Sequence, residues 1–280
     1  MFTTLDECIN EWESSGRHGS TAERVERNTK WMQYYHYIAE NYTGIENQID
    51  SHAEDLVQFL MDERLLSKTS TVLDIGAGMG DYSLAFAKNC RRVNALEMEK
   101  QSLSVLKNRA TDLWLSNLDY TNSMWEDFND DMHYSFVFSA MCPAICNFDE
   151  LLKMESLSEK ACGLVAVSRG SVDLHRKKLM SLLSISPRGG MTTESIWYYE
   201  ALYLMDRYPS VKNYCFSYQK DVSLDEICNS MEVYFQIFDL SAEKSRPIIR
   251  KYFESVAENG IVHDETIINK ALIYWEVPKA

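Results

Sequence analysis

Apolar positions follow two rhythms along this chain. Short, nearly unbroken apolar runs occur at Thr71-Val72-Leu73-Asp74-Ile75, Val93-Asn94-Ala95-Leu96-Glu97, Leu113-Trp114-Leu115, Tyr134–Ser139 and Gly163–Ser168, and each reads as a buried strand. Between the first of these, residues 81–90 carry Leu84 and Phe86 at helical spacing, and residues 99–110 carry Leu103, Val105 and Leu106. Strand and helix alternate at the spacing of crossover units, which predicts an α/β fold with a mainly parallel sheet and helices on both faces. Two further alternating runs, Asn213–Tyr218 and Ala271–Glu276, predict additional strands near the end of the chain.

The flanks read as helices. Residues 1–48 are polar and rich in aromatics, with Trp31, Tyr34, Tyr35 and Ile38 in one helical stripe and Tyr37 at its edge. Two roles are open to that stripe: packing on the main body, or covering a ligand cleft. Leu56, Val57, Phe59, Leu60 and Leu65 give the next helix its buried side. After Arg169 the rhythm turns helical across 172–209, with a turn expected at Pro187-Arg188-Gly189-Gly190, and helices are expected over 223–238 and 242–258. The division that follows is an N-terminal helical cap over 1–49 and one domain over 50–280 that includes a helical insertion or lid at 172–209.

Composition narrows the class. A hydrophobic fraction of 45% in 280 residues is ample for a core without staples. Twenty-eight basic against forty-two acidic residues leave a formal charge of −14, which repels a phosphate backbone. Nucleic acid and anionic membrane are therefore not expected partners. Seven scattered cysteines without repeating spacing read as free thiols in a reducing compartment. The opening MFTTLDECINEWESS lacks a basic stretch followed by an apolar one, and no uncharged run reaches the roughly 18–20 residues of a membrane span. A cytoplasmic location is the expectation.

The chemistry starts at Gly76-Ala77-Gly78-Met79-Gly80, between a predicted strand and a predicted helix. Glycines there let the backbone turn sharply and approach a ligand closely, and the helix start offers free N–H donors. Glu97 ends the second strand, where a carboxylate accepts both hydroxyls of a ribose. Asp74 lies two residues before Gly76. A carboxylate there is poorly suited to a pyrophosphate and well suited to a ligand bearing an ammonium and a sulfonium.

With those residues in place, VLDIGAGMG at 72–80 followed by VNALE at 93–97 resembles the first two motifs of class I S-adenosylmethionine-dependent methyltransferases. The resemblance spans roughly residues 50–170. It implies a Rossmann-like seven-stranded sheet with the last strand antiparallel, S-adenosylmethionine as cofactor and methyl transfer as activity. It further implies a glycine loop of Gly76, Ala77, Gly78 and Gly80, a donor-binding acid at Asp74, a ribose acid at Glu97 and an adenine contact at Met98, whose side chain suits a core position equally. For the acid or amide beside the adenine amino group, Asp119 is the candidate and Asn117 competes. The fourth motif falls on Phe138-Ser139-Ala140-Met141-Cys142-Pro143-Ala144, which lacks the Asp/Asn-Pro-Pro-aromatic pattern of many amino-group methylases.

Displacement at a sulfonium needs alignment more than a catalytic triad, so no catalytic residue is assigned. The loop after the fourth strand should sit at the sheet's carboxyl edge. Ser139 there is a candidate for holding the donor's amino-acid portion, and Met141 and Cys142 for lining the acceptor site. Cys142 and Cys146 are four apart with no second pair, so no metal site is expected. His175 is either a base or acid-binding group with Arg176, or a solvated helix end. Trp197, Tyr198 and Tyr199 either wall a pocket with Tyr35 or Tyr37, or pack between insertion and body. The reading is methyl transfer to a small molecule. A protein methyltransferase, a non-catalytic donor-binding module and a nicotinamide oxidoreductase are the alternatives.

Overall fold

The computed structural model describes residues 2–14, 21–41, 50–168, 172–185 and 195–278. The expected turn at 187–190 and the end of the predicted N-terminal helical stretch, beyond residue 41, lie outside the described residues.

Three helices come first: α1 (Leu5–Ser14), α2 (Thr21–Glu40) and α3 (Asp50–Asp62). The alternating part follows as β1 (Thr71–Ile75), α4 (Asp81–Asn89), β2 (Arg92–Glu97), α5 (Lys100–Asp112), β3 (Leu118–Asn122), β4 (Tyr134–Ala140), α6 (Phe148–Ser156) and β5 (Ser158–Val167). The rest is β6 (Val172–Asp173), α7 (Leu174–Leu182), α8 (Ser195–Leu204), β7 (Ser210–Ser223), α9 (Leu224–Gln236), α10 (Ala242–Val256) and β8 (Ile261–Glu276).

Among the described residues these strands form one eight-stranded sheet in the order β3-β2-β1-β4-β5-β8-β6, with β7 also paired to β8. Strands β1 to β5 are parallel, and β8 runs antiparallel to β5, β6 and β7. The expected parallel sheet with an antiparallel late strand is present, with the two-residue β6 as an unforeseen addition.

Period-two alternation sorts the core into two layers. Val72, Val93, Ala95, Phe136, Phe138 and Leu272 face α3, α4 and α5. Leu73, Ile75, Val137, Cys162, Leu164 and Ile273 face α1, α6 and α8. The third strand differs from its expected place. Leu113 and Trp114 form a turn after α5, with Trp114 93% exposed at φ 57°, and the strand begins at Leu118.

The late part of the fold departs most from a plain crossover sheet. β5 pairs only with Lys270–Glu276 of β8, while β7 pairs with β8 from Ser210↔Tyr274 to Ser223↔Ile261. The first half of β8 and the second half of β7 therefore run on past the sheet's carboxyl edge as a ribbon, which the two-residue β6 joins at Thr266 and Ile267. At about 3.3 Å per residue, the nine positions 261–269 extend roughly 30 Å. A third core forms on this ribbon from Val222, Val262, Leu179 of α7, Tyr234 and Phe235 of α9, Ile249 and Phe253 of α10, and Trp31 of α2. The ribbon closes where Leu224 donates its N–H to Gly260 O at 2.9 Å.

The segment read as one insertion at 172–209 thus divides. α7 joins the third core, whereas α8 lies on the opposite sheet face, where Tyr198 meets Trp12 edge-on at 5.4 Å. No described helix is long and apolar enough to cross a membrane.

Candidate functional site

β1 and β2 are parallel neighbours, with Asp74 opposite Ala95 and Ile75 opposite Leu96. The chain leaving β1 turns at once over the end of β2: Gly76 and Ala77 both donate to Leu96 O, at 2.9 and 3.0 Å. Gly76 holds φ +73°, and a Cβ there would lie 2.3 Å from Cys142 Sγ. Gly80 N–H bonds Ala77 O at 3.0 Å, and α4 begins with Leu84 N–H on Gly80 O at 2.8 Å.

Glu97 sits beneath this bend, 7% exposed. One carboxylate oxygen accepts from Gly78 N–H and the other from Glu99 N–H, each at 2.8 Å. Burial raises its pKa, against the lowering effect of those backbone donors. Asn122 donates to Glu97 O and Met98 O at 2.9 Å each, which holds the chain after β2.

These groups open on a cleft of ≈ 260 Å³ at the carboxyl edge. Its floor is Ile75, the Gly76–Tyr82 loop and Leu96–Met98, and one wall is Ala140–Ala144. Ser123, Trp125 and Glu126 follow β3, Lys270 comes from β8, and Asn28 and Tyr35 come from α2. The Trp125 indole N–H is buried and has no partner among the described residues.

Helix α2 is strapped across this opening. Asn28, Trp31 and Tyr35 lie at i, i+3 and i+7, so one face meets the body. Asn28 Nδ2 donates to Glu126 at 3.2 Å, and His36 Nδ1 lies 3.2 Å from Glu99. Glu99 also caps α5 by accepting from Gln101 and Ser102 N–H. Burial pushes the Glu99 carboxyl up, but those donors and His36 outweigh it and its pKa falls; hydrogen bonding to Glu99 raises His36.

Of the residues singled out from the sequence, Gly76, Ala77, Gly78, Gly80, Glu97, Met98, Tyr35, Met141 and Cys142 come together around this cleft. Others do not. Asp74 is 1% exposed under α4, where Ser83 Oγ donates to it at 2.5 Å, so it supports the loop from below and does not line the opening. Asp119 lies near the start of β3, bound to the Arg92 guanidinium and remote from the carboxyl edge. The strand starts five residues later than expected, which puts Asn122 and Ser123 where that acid was expected, and Asn117 instead donates to Ala87 O and Cys90 O. Ser139 is buried and spends its hydroxyl on Ile75 O at 3.1 Å.

The acceptor candidates of the late helices do not line the cleft. His175 bonds the Tyr252 hydroxyl at 2.8 Å and His263 O at 3.1 Å within the third core. Tyr198 bonds Ile145 O, and Trp197 stacks on Phe2 at 5.7 Å, both beneath the sheet. Tyr37 does not line the cleft. Sequence reasoning passed over Asn28, Ser123, Trp125, Glu126 and Lys270. Asn28 carried a signal, seven residues before Tyr35, and so did Lys270, the one charge inside the apolar run of the last strand.

Burial drives the Asp74 carboxyl from 3.8 up to about 7. The folded protein therefore holds a proton that the unfolded chain has lost between about pH 4 and 7, and stability falls as pH rises through that window. Asp74→Asn, which keeps an acceptor for Ser83, is expected to be more stable than the parent at pH 8 by on the order of 2 kcal/mol, after discounting two buried amide hydrogens. Below pH 4 the advantage should vanish. Urea titrations at the two pH values check this, and equal stability at pH 8 would refute it.

No protein-family model matches the sequence. A candidate methyltransferase of Bacillus halodurans superposes with a TM-score of 0.51 at 14% identity, over 79% of this chain and 98% of that one. Coclaurine N-methyltransferase bound to N-methylheliamine and SAH gives a TM-score of 0.47 at 14% identity, over 97% of this chain and 94% of that one. The ribosomal RNA small subunit methyltransferase A of Mycoplasmopsis synoviae is 30% identical over 120 residues, covering 39% of this chain and 45% of that relative. The chain spans less than half the length of the curated relative it matches. The likeness to the Bacillus halodurans structure is one of fold, and the protein has a Rossmann-like α/β fold.

Proposed function

We propose that the chain binds S-adenosylmethionine in this cleft and transfers its methyl group to a small molecule held beneath α2. The observation that carries the reading is the Glu97 carboxylate, buried at the end of β2 and set against the Gly76–Gly80 bend. The cleft fits such a donor: no described residue lies within 4 Å of where a Gly78 Cβ would be, and none partners the Trp125 N–H. In this reading Glu97 accepts the ribose hydroxyls, Met98, Ser123 and Trp125 surround the adenine, and the glycine bend admits the amino-acid tail. The donor, when bound, supplies a methyl carbon already activated by its sulfonium. The protein's part is alignment and exclusion of water, with Tyr35 as roof and Met141 and Cys142 as the wall nearest the acceptor.

The straps from Asn28 and His36 support a small acceptor, because they close the opening from above. The charge of −14 and a loop reading Ala140-Met141-Cys142-Pro143-Ala144, without an acid or amide before proline and an aromatic, weigh against a nucleic-acid base. The part-length likeness to a ribosomal RNA methyltransferase favours RNA as the second reading. All seven cysteines are free thiols, which supports a reducing, cytoplasmic setting.

Calorimetric titration with S-adenosylmethionine, S-adenosylhomocysteine and NAD tests the cofactor. Micromolar binding of the first two and none of NAD is expected, and NAD binding alone would overturn the reading. Labelled donor offered with a metabolite pool and with structured RNA then separates the two acceptor classes.

A further inference from the structure

Lys270 is the only cation among the described residues lining the cleft; the acids there are Asp81, Glu97 and Glu126. It forms the last rung between β5 and β8, opposite Val167, and faces Tyr214 across to β7, so it stands where the sheet opens. Asp81 is already engaged by Arg109 at 2.7 Å. No hydrogen bond or ion pair reaches the Lys270 ammonium from any described residue. Its surroundings are aromatic: the Phe216 ring centre is 5.7 Å away, and Tyr214, whose own buried hydroxyl has no partner among the described residues, is its cross-strand neighbour. Desolvation lowers its pKa, against a raising effect from Asp81.

A half-buried ammonium without a counter-ion among the described residues is costly, because part of its hydration is removed and only the contact with the Phe216 ring replaces it. A methionine would fill the same space beside Phe216 without that cost. No described side chain supplies a counter-ion, and a ligand entering the cleft can bring one. We propose that Lys270 is an anchor for a carboxylate brought into the cleft by a ligand, either the amino-acid carboxylate of the methyl donor or an acid group of the acceptor.

The proposal rests on the donor-binding reading, and its test separates the two. The parent, Lys270→Met and Lys270→Arg are titrated with S-adenosylhomocysteine and with methylthioadenosine, which has the same nucleoside and no carboxylate. If the donor is the source, Lys270→Met loses tenfold or more for S-adenosylhomocysteine and keeps its affinity for methylthioadenosine, and Lys270→Arg recovers part of the loss. If the acceptor is the source, neither nucleoside is affected. A panel of small aromatic and aliphatic carboxylic acids then binds the parent's S-adenosylhomocysteine complex and fails to bind that of Lys270→Met. Without ligand, Lys270→Met should melt no lower than the parent. A Lys270→Met protein that melts lower and binds S-adenosylhomocysteine and every acid as the parent does overturns the proposal. A parent that binds neither nucleoside overturns the donor reading instead.

Discussion

Glu97→Ala is expected to weaken binding of S-adenosylmethionine and its demethylated product by roughly 10- to 150-fold, the range for losing charge-assisted hydrogen bonds worth about 1.5–3 kcal/mol. The side chain is buried at the end of β2, so its acceptors are not diluted by solvent. The substitution also strips the acceptor from Gly78 N–H and Glu99 N–H. Some stability is therefore lost as well, and Glu97→Gln, which keeps one carbonyl oxygen, separates the two effects. The Gln variant should melt closer to the parent than the Ala variant and still bind the donor poorly. Calorimetry with S-adenosylhomocysteine on both variants reads this out. Parent-like affinity in a folded Glu97→Ala protein would remove Glu97 from the ribose role.

Gly76→Ala is expected to cost about 2–5 kcal/mol of stability. A φ of +73° costs an L-residue about 1–2 kcal/mol, and crowding a packed site adds about 1–3 kcal/mol. The crowding is specific, since the new Cβ would fall 2.3 Å from Cys142 Sγ and 2.8 Å from Cys142 Cβ. Gly78→Ala provides the internal standard. Its φ is +55° with open space where the Cβ would go, so only the backbone part, about 1–2 kcal/mol, applies. Denaturant titrations should rank parent, Gly78→Ala and Gly76→Ala in that order, with donor binding lost in Gly76→Ala. Equal losses for the two alanines would show that Cys142 gives way freely.

The first half of the sheet was legible because its signals are local. A strand, a glycine bend and a helix follow one another within twenty residues at 71–90, and the geometry of such a bend leaves few alternatives. Asp74 was found at the right place and given the wrong neighbour. The sequence shows a carboxylate at a strand end, while only the pairing with Ser83 shows that it points under α4. Asp119 failed for a different reason. Leu113 and Trp114 look like a strand because periodicity sees hydrophobicity and not exposure, and the structure leaves Trp114 almost wholly in solvent.

The late helices show the same limit at larger scale. α8 is apolar around most of its girth, so periodicity does not mark its inward side; Tyr198, Ala201 and Leu202 turn to the core under the sheet while Ile196 and Tyr203 stay exposed. Helices α9 and α10 were readable as helices. Their place on the third core depends on β7 and β8 running for 14 and 16 residues, whereas alternation betrayed only six in each.

The ribbon has a consequence for how specificity in this molecule can change. Residues 224–260 leave from Ser223 and return at Ile261, two positions that are rung partners joined beyond by the Leu224–Gly260 bond. The stretch is thus a cassette with touching ends, whose exchange leaves every rung of the ladder below it intact and adds little closure entropy. Any replacement must re-cover Trp31, Leu179 and Val222, which the present one shields. Within that constraint, the cover over Trp31 of α2, the helix whose Asn28 and Tyr35 line the cleft, can be redrafted by grafting while Glu97 and the glycine bend stay untouched.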